Sequence, residues 1–151
     1  MSYQRFSDLI HDLCRQMAIP DPEQVLQTGM LEVEGFDVML DHLEQDPEAA
    51  YLNFCYGIVT SGRSLKVYRL LLEANLVIYA QDQAQLGMEE DTGSVVMIVR
   101  VPFGADVDGA WLVDLLAHYA QHGRYWRDNI FQTNDQMYDN IADGSYLWIR
   151  A

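Results

Sequence analysis

Basic residues are scarce in this chain: nine Lys and Arg stand against 23 Asp and Glu in 151 residues, a formal charge of −14. Binding to phosphate needs a cationic surface, so nucleic acid and anionic membrane are disfavoured as direct partners, whereas a basic partner segment is drawn in. Only two cysteines are present, Cys14 and Cys55. They fall in a predicted helix and a predicted strand, as small buried residues do, which argues against a disulfide framework and fits a reducing cytoplasm. No apolar run approaches the ~20 residues of a membrane-spanning helix, and Met1-Ser2-Tyr3-Gln4-Arg5 does not open a signal peptide. A soluble protein that stays in the cytoplasm, without membrane insertion, is expected.

Motifs for chemistry are also sparse. No Gly-rich phosphate loop follows a strand, and there is no Gly-x-Ser-x-Gly elbow. Asp114, His118 and His122, four apart, lie near one helical face and could face a metal, but they also flank an apolar stripe as solvated residues do. His11 and Cys14, three apart, carry the same two readings. The acidic runs at Asp46 and Glu48 and at Glu89, Glu90 and Asp91 read as solvated turns. The expectation is a protein that is not an enzyme and has no cofactor and no metal.

What is present is pattern. Half the residues are hydrophobic, enough for one core in a single domain over 1–131. From 132 to 151 the composition turns to Asn, Asp, Gln and Gly, which reads as a C-terminal tail. Phe6, Leu9, Ile10, Leu13 and Met17 recur at helical spacing, and Pro20 and Pro22 end that helix. Leu31 and Val33, then Phe36, Val38 and Leu40 around Gly35, alternate as a hairpin; Leu52, Phe54, Tyr56 and Ile58 form a third strand. Gly57 marks close packing or a bulge.

A central helix follows, capped by Ser61 or Ser64, with Leu65, Tyr68, Leu72 and Leu76 on one face and Leu71 widening it. Asn75 is placed near its end, because Val77, Ile78 and Tyr79 turn β-like. Gln85-Leu86-Gly87-Met88 and an apolar strand from Val95 to Val101 then flank a turn at Glu90-Asp91-Thr92-Gly93. Asp106 or Asp108 caps a last helix with Leu112, Leu115, Leu116 and Tyr119 inward. The class is α+β, three helices packed on a five-stranded mainly antiparallel sheet, in the order α-β-β-β-α-β-β-α.

Leu71-Leu72-Glu73-Ala74-Asn75-Leu76, then Leu86-Gly87-Met88, then Asp91-Thr92-Gly93 leading into an apolar strand, resembles the class I type III secretion chaperones, the Tir chaperone family. The order and length of elements agree over roughly the first 130 residues; the tail is outside the family pattern. The resemblance implies a homodimeric virulence-associated chaperone. It would hold the N-terminal segment of a secreted effector protein extended, keep it soluble and deliver it to the secretion machinery without ATP hydrolysis. The positions matching the family's dimer interface are Leu65, Tyr68, Leu72, Leu76, Leu86 and Met88, which could equally face the chain's own core. Groove candidates for effector binding are Phe6, Leu9, Leu13, Val38, Leu40, Phe54, Val96 and Ile98, several of them also suited to plain core. A non-secretory protein-interaction or regulatory module of the same fold, and a small metal-binding domain, are the alternatives.

Overall fold

The computed structural model describes residues 2–59 and 64–131; Ser61 and the tail of 132–151 lie outside them. The elements are α1 (Ser2–Gln16), α2 (Pro22–Thr28), β1 (Met30–Val33), β2 (Phe36–Asp41), β3 (Ala49–Ile58), α3 (Ser64–Asp82), β4 (Ala84–Met88), β5 (Ser94–Pro102) and α4 (Gly109–Trp126). A π-helical turn, Arg127–Phe131, continues α4. The strands form one five-stranded sheet in the order β1-β2-β3-β5-β4, antiparallel at β1–β2, β2–β3 and β4–β5.

Among the described residues four α-helices, not three, are therefore present. The added one, α2, has ordinary signals: Asp21 Oδ1 accepts from Gln24 N at 3.1 Å, Pro22 opens the first turn, and Gly29 closes it at φ +65°. Helix α1 ends at Gln16, ahead of both prolines, and Pro22 starts α2, because a proline needs no N–H in a first turn. The second correction is the length of α3. It runs through Val77, Ile78 and Tyr79 to Asp82, because burial of Ala74 and Ile78 outweighs the weak strand preference of β-branched residues. Helix α4 passes through Gly123 to Trp126; Trp126 and, in the π-helical turn, Ile130 are buried.

Other turns form as read. Glu34 (φ +50°) and Gly35 (φ +87°) make the two-residue β1–β2 turn with the positive φ values that a twisted hairpin requires. Gly93, at φ +70°, donates its N–H to Glu89 O at 2.9 Å. Asp108 is the cap of α4, its Oδ1 accepting from Trp111 N at 2.8 Å.

Two compact units divide these elements: Met1–Phe54 with Arg100–Ala120, and Cys55–Val99 with Gln121–Ala151. In the first, Ile10, Leu13, Val38, Leu52, Phe54 and Leu112 are buried, and Phe54 and Tyr119 meet at 5.8 Å between ring centroids. Asp12 Oδ2 accepts from Gly109 N at 2.6 Å; a Cβ on Gly109 would fall 2.6 Å from the Asp12 backbone, so only glycine lets α4 start here. Asp46, paired with Arg100 and accepting from Tyr51 Oη at 2.8 Å, holds the β2–β3 loop, and those bonds lower the Asp46 pKa. In the second unit Tyr56, Val67, Leu70, Met97, Trp126 and Phe131 are buried. Gly57 there has φ +128°, a backbone that L side chains avoid.

Candidate partner-binding surfaces

Helix α3 is apolar on two sides, and only one side is used internally. Val67, Leu70, Leu71, Ala74 and Ile78 are buried, while Leu65 is 84% exposed, Leu72 71%, Leu76 80% and Tyr79 62%, with Tyr68 partly exposed beside them. Large side chains left in water at this density are unusual on a helix that also has a buried face. Their spacing from Leu65 is three, four, four, three residues, symmetric about Leu72. A two-fold axis through Leu72, with a second α3 antiparallel to the first, sets Leu72 on Leu72, Tyr68 on Leu76 and Leu65 on Tyr79. A self-complementary patch of this kind is what an isologous interface needs.

Of the six residues matched to a dimer interface, Leu65, Tyr68, Leu72, Leu76 and Met88 are exposed, and Leu86 is buried. Leu86 lies on the inward side of β4, as the alternation along Ala84–Met88 requires. Tyr79 continues the exposed stripe, on a part of α3 that lies beyond the helix end expected near Asn75.

The groove set fares differently. Phe6, Leu9, Leu13, Val38, Leu40 and Phe54 are buried, several completely, and they fill the first unit's core. One apolar face per helix or strand is consumed by folding before any is left for a partner. Leu9 reaches a surface pocket, of about 280 Å³, which also involves Arg5, Asp8, Asp12, Phe103 and Asp108. Val96 and Ile98, on the opposite side of β5 from buried Val95, Met97 and Val99, remain half-exposed.

Among the described strands β1, in the first unit, is one edge of the sheet. Leu40 N donates to Gly29 O at 2.7 Å, and Met30 faces Met39 while Glu32 faces Asp37. Antiparallel pairing then turns the N–H and C=O groups of Glu32 away from β2, along the outer edge of β1. Met30 and Met39 are exposed side by side on one face of this hairpin.

Among the described residues no group of three His, Cys, Asp or Glu could hold a metal ion. Asp114 and His118 are exposed. His11 joins helices instead: its Nδ1 lies 2.8 Å from Ser7 O and its Nε2 2.9 Å from Glu23 Oε1 on α2. The Ser7 carbonyl, then the Glu23 carboxylate, raise the His11 pKa above its ordinary 6.5.

No protein-family model matches the chain, and no curated protein does. Solved structures do. A chain of the HopA1–SchA chaperone–effector complex superposes with a TM-score of 0.63 at 17% identity, over 82% of this chain and 94% of that one. A chain of the ExsC–ExsE complex gives 0.65 at 18%, over 87% and 97%. A looser likeness, TM-score 0.49 at 22% identity over 69% and 84%, is to the heterodimeric ExoU–SpcU complex of the Pseudomonas aeruginosa type III secretion system. The chain has the fold found in the first two complexes, across nearly their whole length. Among the described residues no helix is long and apolar enough to cross a membrane.

Proposed function

We propose that this protein is a type III secretion chaperone that binds the N-terminal segment of a secreted effector as a cytoplasmic homodimer. It keeps that segment soluble and extended and hands it to the secretion machinery, by binding alone and without ATP hydrolysis. The observation that carries the reading is the exposed, two-fold-symmetric stripe of α3, on a chain whose fold is shared with a chaperone–effector complex. The central segment from Leu71 to Gly93 supports the secretion assignment through its resemblance to that chaperone family.

In this reading a second copy covers Leu65, Tyr68, Leu72, Leu76, Tyr79 and Met88. The effector's extended chain adds to the outer edge of β1, where backbone groups give affinity and neighbouring apolar side chains such as Met30 and Met39 read its sequence. Val96 and Ile98 remain as contact positions. The −14 charge favours a basic effector segment and keeps the complex soluble. Deleting the gene and comparing secreted proteins under inducing conditions tests the reading. One effector should vanish from the medium and return on complementation; an unchanged set of secreted proteins would refute it.

A further inference from the structure

Among the described strands β4 ends the sheet, and an edge strand offers alternate N–H and C=O pairs to any strand that comes beside it. Proteins usually guard such an edge with charge, proline or a bulge. The sequence of β4, Ala84-Gln85-Leu86-Gly87-Met88, carries no charge and no proline, and it pairs with β5 residue for residue without a bulge.

A side chain stands guard instead. The N–H of Leu86 donates to Asn75 Oδ1 at 2.6 Å, and the carbonyl of Leu86 accepts from Asn75 Nδ2 at 3.0 Å. Both backbone groups of Leu86 therefore face away from β5, and ladder alternation turns those of Gln85 and Gly87 toward it. Glu89 N donating to Ser94 O at 2.9 Å keeps the same parity beyond the strand's end. Leu86 is thus the central outward-facing residue of a five-residue edge. A carboxamide presents one donor and one acceptor side by side, as a paired residue of an added strand does. Buried Ala74 and Ile78 fix the rotation of α3 that aims Asn75 at this point.

We propose that Asn75 is an edge lock. Its amide occupies the place of an added strand at Leu86, and so prevents β4 of a second copy of this chain from extending the sheet. The lock does not depend on the chaperone reading, since it needs only α3, β4 and β5.

The test compares Asn75→Ala with Leu71→Ala, which weakens the buried face of α3 and leaves the amide in place. Hydrogen exchange at the Leu86 amide and sedimentation across a concentration series are the readouts. The lock predicts exchange at Leu86 faster by about tenfold in Asn75→Ala, the effect of losing roughly one net hydrogen bond. It also predicts assemblies larger than the wild-type species, growing with concentration, in Asn75→Ala only. Unchanged exchange, unchanged size despite faster exchange, or equal assembly by Leu71→Ala at matched stability would each overturn it.

Discussion

His11 ties α1 to α2 through two contacts that suit a doubly protonated ring. With Nδ1–H on Ser7 O and Nε2–H on Glu23, the charged form is favoured in the folded state and its pKa rises. A raised folded-state pKa adds stability that is complete below the unfolded value and is lost as pH climbs through the folded one. Wild type should therefore exceed His11→Ala in melting temperature by more at pH 5.5–6 than at pH 8.5, a comparison read from thermal melts at roughly these values. An equal gap at both ends would remove the clasp. Leu13→Asp belongs to the same scale. The residue is fully buried, so the variant should lose several kcal/mol, of order 3–5, and unfold in circular dichroism.

Single residues were the least legible part of the sequence. Leu9, Leu13 and Phe54 look alike whether they line a groove or fill a core, because both demand the same apolar side chain. Burial separates them only once the fold exists. Asn75 was read as a helix stop, on the strength of its tolerance for left-handed backbone. Its use, two hydrogen bonds to a strand eleven residues later, depends on how α3 and β4 pack, which no local spacing encodes.

At the scale of elements the pattern was read more fully. Strands β1, β2 and β3 follow from alternation, β5 from an apolar run, and both hairpin turns from glycine at positive φ, since period two and turn chemistry are local properties. Boundaries are what the pattern leaves out: Pro20 and Pro22 read only as the end of α1 and not as the start of α2, and α3 continues past Asn75, where tertiary burial overrides strand preference. The exposed stripe of α3 supplies the sharpest contrast. Leu72→Asp should leave the monomer folded, because Leu72 is 71% exposed, yet place two carboxylates face to face on the two-fold axis. Dimer affinity should fall at least about a hundredfold, roughly 3 kcal/mol, in sedimentation equilibrium. Leu71→Asp, one residue away and buried, should instead unfold the chain. A Leu72→Asp protein that associates as wild type does would dismiss the stripe as an interface. On the edge strand, Glu32→Pro removes an N–H that points away from β2. It should shift the melting temperature by only a few degrees while abolishing strand addition, seen as loss of effector binding in calorimetry; full binding by this variant would move the effector off β1.

For the whole molecule, composition bears on the kind of partner and topology on the fold. The charge of −14 sets aside polyanions, and the fold is shared with chains of the HopA1–SchA and ExsC–ExsE complexes. A likeness at 17–18% identity carries architecture and not a partner's name, so the effector must come from experiment. The most direct measurement is native mass spectrometry of the protein captured, untagged, from its own cells while secretion is switched on. The account predicts a complex of two copies of this chain with one secreted protein, retained through its N-terminal region and released by Glu32→Pro. Recovery of the free chain alone under those conditions, or of a stoichiometric partner that is never secreted, would contradict it.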